Sequence, residues 1–330
     1  MCTALSIESN ENHHFFGRNM DLAYHFNESV IFIPKNYKNV NKATGNLLPC
    51  KYAIIGMGTI IDNHLAMSDG MNEKGLGCAA LNFAGYAYFE DKIVEGKNNI
   101  TPYDFMYWIL ANYETVDEVK SAMKDVELIS IPINENTPVS MLHWMIADKN
   151  GNSIVIEKTK NGIAIYDNPV GVMTNNPEFH WHLTNLNEYL YLNPNHPKDV
   201  TWNKKNLTAL GVGAGTLGIP GDFASVSRFI RIAYLRANMP EINDDEAAVT
   251  QFFNMLDYVK MVKGAVITQD GMLDLTTYSC CMNLEKGIYY YKNYYNNRIN
   301  VVEMNNENLN GDEIKRFPYV LKQDFNYQNR

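Results

Sequence analysis

The chain has 330 residues, 46% of them hydrophobic and 20% charged, with 37 acidic against 28 basic side chains and a net charge of −9. This is globular composition, which excludes a disordered or collagen-like chain. The acidic balance also argues against nucleic acid or an anionic membrane surface as the main partner. No run approaches the ~18 apolar residues of a membrane span. The opening residues carry Glu8 and Glu11 in place of the basic start of a signal peptide, so the chain reads as cytoplasmic.

The first third reads as strands. Residues 2–7 and 14–18 flank a polar turn and suggest a hairpin. Further β-like runs cover 29–34, 52–59 and 76–83, the last entered through the turn Asn72-Glu73-Lys74-Gly75. Two helices follow. Thr101-Pro102-Tyr103-Asp104 sets a cap, a first-turn proline and an acid before 105–113. Thr115-Val116-Asp117-Glu118 is a capping-box pattern opening a helix to about residue 126. Strands return at 141–146, 153–157 and 163–166, separated by Asn-Gly turns. One more strand is expected at 171–175, then a helix of roughly twelve residues from Asn176-Pro177-Glu178.

Residues 193–222 are polar and rich in Gly and Pro. So long a loop in a compact fold is usually functional or an assembly surface. Helices are expected at 225–237 and 244–263, then strands at 277–283, 287–292 and 299–304. The order lacks a repeating βαβ unit and a Gly-rich βα turn, which disfavours a dinucleotide-binding fold. Two sheets with helices outside, in one domain spanning 1–330, satisfy the pattern.

Cys2 is the most informative residue. Methionine is removed ahead of a small second residue, and removal would leave a cysteine with both a thiol (pKa ~8.5) and a free α-amine (pKa ~8). One residue would then supply a nucleophile and, through its own amine, a base. The five cysteines, Cys2, Cys50, Cys78, Cys280 and Cys281, form no CxxC, so neither a disulfide framework nor a zinc site is suggested. Cys280 and Cys281 should face opposite sides of a strand, one core and one surface. His180 and His182 diverge on a helix and make a poor metal pair. His13 and His14 lie at a turn and should be solvated. Lys204-Lys205 is too small a basic spot for nucleic acid. No metal and no cofactor are expected.

Met1-Cys2-Thr3-Ala4 followed by Gly17-Arg18-Asn19-Met20-Asp21 resembles the opening of the choloylglycine hydrolase family, the conjugated bile salt hydrolases and penicillin V acylases. Further matching segments include Asp69-Gly70-Met71-Asn72-Glu73-Lys74-Gly75-Leu76, Leu81-Asn82-Phe83, Leu142-His143-Trp144, Met173-Thr174-Asn175-Asn176-Pro177 and Ser227-Arg228-Phe229, so the resemblance covers nearly the whole length. It implies an α+β fold, a four-layer αββα sandwich of two mainly antiparallel sheets, the N-terminal nucleophile hydrolase fold. It implies Cys2 as nucleophile, with Arg18 and Asp21 facing it from the next strand. Asn82 and Asn175 should surround the reacting carbonyl, and Arg228 should return to the site from far along the chain. The residue types suit the chemistry: guanidinium groups favour a thiolate, and amide donors suit an oxyanion without adding charge.

Resemblance also places a substrate pocket at Met20, Phe26, Ile61, Asn82, Ile133, Thr137 and Leu142, and implies a homotetramer with 193–222 as assembly element. The expected reaction is hydrolysis of the amide of glycine- or taurine-conjugated bile salts. Penicillin V is the runner-up substrate, N-acyl homoserine lactones a remoter one, and an inactive steroid-binding relative the rival from another class.

Overall fold

The computed structural model describes residues 1–330, and its two large sheets are antiparallel throughout. The N-terminal hairpin forms as expected but is longer. Strand β1 (Cys2–Glu8) pairs with β2 (His14–Leu22), Cys2 opposite Met20 and Ala4 opposite Arg18. Strand Leu273–Asn283 pairs with the far side of β2, and Ile288–Asn293 and Asn300–Glu303 extend this first sheet.

The second sheet runs from Gly162–Asp167 through Ser153–Thr159, Leu142–Asp148, Leu76–Asn82, His64–Asn72 and Ile54–Ile61 to β3 (Ser29–Ile33). Lys315–Pro318 closes its edge. Two of these strands lack strong local signals. His64–Asn72 is interrupted by Ser68 and Asp69 in its middle and pairs back on Ile54–Ile61 through Asp62 and Asn63, both at positive φ (49° and 62°), as a two-residue hairpin requires. Lys315–Pro318 is charged and ends in proline, which only a sheet edge tolerates.

The two sheets face each other across one apolar core and each carries helices on its outer face. Helices α1 (Pro102–Asn112) and α2 (Val116–Ala122) cover the second sheet through Phe105, Ile109 and Val119 packed on Ile54, Cys78 and Trp144. Helix α3 (Phe179–Asn185) follows. Helices α4 (Ser225–Ala237) and α5 (Asp245–Asp257) cover the first sheet through Phe229, Phe252 and Leu256. This is the αββα arrangement. Phe16 of β2 reaches the second sheet where Gly77 has no side chain; a Cβ there would sit 2.7 Å from Phe16 Cδ1.

Three expectations are corrected. The strand expected at 171–175 is only Val172–Met173, because the next two carbonyls accept from histidines and Asn175 N donates to Ser225 Oγ at 2.9 Å. The helix expected to reach 263 ends at Asp257, because Met261 leaves it to bond with Thr276. Cys280 and Cys281 are both fully buried, since this sheet is covered on both faces. The segment 193–222 contains a small hairpin, Val200–Trp202 with Lys205–Leu207, and a single 3-10 turn at Ala214–Thr216. No helix is long and apolar enough to cross a membrane.

Candidate active site

Cys2 opens β1 and is 3% exposed. Alternation along β2 sends Arg18 and Met20 to the face that meets the second sheet, and Asn19 and Asp21 to the face covered by α4 and α5. Asn19 Nδ2 accordingly donates to Leu256 O in α5 at 2.8 Å, while Arg18 Nη1 donates to Ala80 O at 2.6 Å and Ser68 O at 3.1 Å in the second sheet. Arg18 and Asp21 therefore approach Cys2 from opposite faces of the first sheet.

On the inter-sheet face, Cys2 Sγ lies 3.9 Å from Met20 Sδ, which also accepts from Arg18 Nη2 at 3.3 Å. The thioether thus sits between thiol and guanidinium. Arg18 is fully buried and all its hydrogen bonds go to carbonyls and sulfur. Burial opposes its charge, but Cys2, Tyr278 and Asp69 outweigh that and hold it above the ordinary arginine value. Asp69, also fully buried, accepts from Tyr278 Oη at 2.5 Å, Tyr289 Oη at 2.6 Å and the Cys280 thiol at 3.4 Å.

On the helix face, Arg228 of α4 donates to Cys2 O, to Thr3 Oγ1 at 2.6 Å and to Asn175 Oδ1 at 2.8 Å. Burial pulls its guanidinium below the ordinary value, against the pull of Asp21 and Cys2. Asn175 Oδ1 also accepts from Cys2 N at 2.7 Å, and Asn175 Nδ2 donates to Asn82 O at 2.8 Å. Asp21 Oδ1 accepts from Thr276 Oγ1 at 2.5 Å, while Oδ2 is buried without a partner. Burial raises the Asp21 carboxyl, opposed by the terminal amine and Arg228. The Met1 amine itself donates to Asp21 O at 2.7 Å.

The six residues singled out for chemistry are brought together, but with different freedom. The Asn175 amide holds Cys2 and Arg228 in place. Asn82 is exposed, uses its Oδ1 on Ala84 N at 2.9 Å, and leaves Nδ2 without a protein partner. Of the pocket positions, Ile61, Asn82 and Leu142 lie at one end of the second sheet, where Asn82 and Leu142 are cross-strand partners. Ile133 and Thr137 belong to a segment tied to the 61–64 hairpin by Asn134 Nδ2 donating to Asp62. Phe26 lies just after β2, its N–H bonded to Glu28 at 2.8 Å. A separate cavity of about 260 Å³, lined by Leu22–His25, Lys263, Leu275 and Tyr295 among others, includes none of these pocket residues.

Glu11, His13 and Asp245 bring ligand atoms within 4.8 Å of one another, at the other end of the hairpin from Cys2. Lys286 lies 2.5 Å from Asp245 and supplies the counter-charge there. His13 and His14 are not solvated as expected: each is half-buried beside a carboxylate, Asp245 and Glu285, at 2.8 Å. Sequence reading assigned no role to Thr3, Asp69, His143 or His182. Thr3, Asp69 and His143 sit in the segments that resemble the family, and Asp69 is the one acid in its strand; His182 had no signal.

A family profile described as "Linear amide C-N hydrolases, choloylglycine hydrolase family" matches residues 2–317. The chain belongs to the choloylglycine hydrolase family. It is 50% identical over 329 residues to the bile salt hydrolase/transferase of Clostridium perfringens, covering 100% of both chains. It is 42% identical to the bile salt hydrolase/transferase of Lactiplantibacillus plantarum, over 96% of this chain and 97% of that one. Among solved structures, the mutant C2A conjugated bile acid hydrolase from Clostridium perfringens superposes with a TM-score of 0.95 at 49% identity, over 100% of both chains. The penicillin V acylase from Agrobacterium tumefaciens gives 0.75 at 19% identity, over 96% of this chain and 90% of that one, a likeness of fold. By family the chain is a linear amide C–N hydrolase, and it shares its fold with these two solved structures.

Proposed function

We propose that the chain hydrolyses the amide bond of glycine- and taurine-conjugated bile salts, with Cys2 as nucleophile after loss of Met1. The observation that carries this reading is the placement of Cys2: an arginine reaches the thiol side, an arginine and an asparagine hold the main chain, and the Met1 amine lies on the Asp21 main chain, whose carboxylate keeps one buried oxygen unpartnered. A free α-amine there would keep its bond to Asn175 Oδ1.

In the reaction, the Cys2 thiol gives its proton to the α-amine and sulfur bonds to the amide carbon. The carbonyl oxygen becomes an oxyanion, for which Asn82 Nδ2 is the free donor. The α-amine then passes its proton to the leaving nitrogen as the C–N bond breaks, releasing glycine or taurine. Water adds to the thioester and restores the thiol, releasing the bile acid. Arg18 favours the thiolate across the Met20 thioether, and Arg228 holds the Cys2 carbonyl. Met20, Phe26, Ile61, Ile133, Thr137 and Leu142 form the apolar wall for the steroid, a surface suited to a large rigid ligand.

We assign assembly as a homotetramer to the segment 193–222, which exposes Leu210, Val212 and Leu217 almost completely. Five free, buried thiols suit the reducing cytoplasm. The test is kcat/KM for glycocholate, taurocholate and penicillin V side by side. Bile salts should lead by at least about tenfold, ~1.4 kcal/mol in the transition state. A preference for penicillin V would move the chain to the acylase branch. No turnover of any of the three, with Met1 retained, would favour the steroid-binding relative.

A further inference from the structure

Behind Asn175 lies a buried polar layer that the reaction above does not use. His143 on strand Leu142–Asp148 and Glu157 on its neighbour Ser153–Thr159 are each about 1% exposed and lie 3.1 Å apart, Nδ1 to Oε1. His143 Nε2 donates to Thr174 O at 3.0 Å. His182 of α3 is 2% exposed, and its Nε2 donates to Asn175 O, the next carbonyl, at 3.0 Å. Glu157 Oε1 also accepts from Phe179 N at 3.0 Å, which joins the start of α3 to the same layer.

Acceptor chemistry fixes the protons. A carbonyl only accepts, so both Nε2 atoms carry hydrogen. His182 Nδ1 is buried without a partner, so that ring is neutral with its single proton on Nε2. Burial pushes the His182 imidazole down to about 4, in keeping with this tautomer. His143 Nδ1 and Glu157 Oε1 are hydrogen-bonded to each other. Both rings are clamped: His143 stacks on Phe83 with centroids 4.3 Å apart, and His182 on Phe229 at 4.6 Å, the residue after Arg228. The charged or titratable groups acting on His182 are His143 and Arg228.

We propose that His182 and the His143–Glu157 pair are positioning residues that fix the consecutive carbonyls of Thr174 and Asn175, so that Asn175 Oδ1 meets the Cys2 nitrogen and Arg228 together. The backbone here has left the sheet after Met173, and no strand neighbour holds these two carbonyls. Without the two histidines, the Asn175 side chain would lose its fixed distance to Cys2. The inference rests on Cys2 as nucleophile.

The experiment compares the full-length enzyme with His182→Leu, which fills the space without a donor, and His182→Gln, which keeps an N–H near Nε2. Two readouts are taken: kcat and KM for glycocholate, and the pH dependence of Cys2 alkylation by iodoacetamide. His182→Leu should lower kcat at least about tenfold with KM within about twofold, and displace the alkylation profile by at least about half a pH unit. His182→Gln should recover most of both. A wild-type kcat and profile in His182→Leu would overturn the proposal, as would equal damage in both variants. If His182→Leu does not fold, His143→Leu carries the test, because it removes the N–H given to Thr174 O: a kcat loss at unchanged KM with a displaced profile supports the proposal, and wild-type values overturn it. Alkylation reports on Cys2 without a bile salt. A wild-type enzyme that ignores glycocholate would refute the substrate assignment, and the alkylation profiles alone would then decide this inference.

Discussion

The Cys2 end of the first sheet and the segment 193–222 are opposites in how their groups are satisfied. Around Cys2, Arg18, Asp21, Arg228 and Asn175 are buried and nearly every polar atom has a named partner inside the chain. In 193–222, Leu210, Val212 and Leu217 stand in solvent with little of the chain packed on them. A network whose members fix one another responds non-additively and severely to single changes. An exposed apolar arm contributes little to its own fold, so changes there should act on association and leave chemistry alone.

The largest effects should come from the first region. Cys2→Ala should remove turnover, a loss beyond about 10⁴-fold, with the fold unchanged because the substitution removes one sulfur atom. Arg18→Ala, Asp21→Ala and Arg228→Ala should each lower kcat by about 10²–10³-fold, measured with glycocholate and checked by circular dichroism. Normal rates in folded variants would move those residues to a structural role and blunt the contrast.

A smaller effect separates electrostatics from chemistry. The Glu285 hydrogen bond, against burial, raises the His14 imidazole above its ordinary 6.5. A raised folded value means that the stabilisation is fully present below pH 6.5 and is lost as pH rises through the folded value. The gap in Tm between wild type and Glu285→Gln should therefore be larger at pH 5.5 than at pH 9, with kcat unaffected. A gap that widens at pH 9 would reverse the assignment. The smallest effect on chemistry should come from Leu210→Ser with Val212→Ser. Molar mass from light scattering should fall below that of a tetramer, while kcat per protomer stays within about threefold. An unchanged mass would remove 193–222 from the interface.

Local signals were legible where they were local in the structure. The Thr101 cap accepts from Asp104 N at 3.2 Å and Thr115 from Glu118 N at 3.3 Å, as their spacing predicts. The return arm of the second motif reaches Glu114 N instead, one residue early. What could not be read was the third dimension of the sheets. Arg18 and Asp21 look like one charged pair in the sequence, yet they sit on opposite faces of β2. Cys280 and Cys281 alternate as a half-exposed strand would, but helices cover the second face. The six residues proposed for chemistry came from resemblance, because positions 2, 18, 21, 82, 175 and 228 converge through register and crossover that no local pattern encodes. His182 escaped for the same reason: as a helix residue it looked like half of a poor metal pair.

The central claim is that Cys2, with its own amine free, carries the acyl group. The most direct measurement is peptide mass spectrometry of enzyme quenched during turnover of glycocholate. The N-terminal peptide is expected to begin at Cys2 and to carry a cholyl thioester on it, with the other four thiols unmodified. An active enzyme that retains Met1, or an acyl group found on another residue, would contradict it.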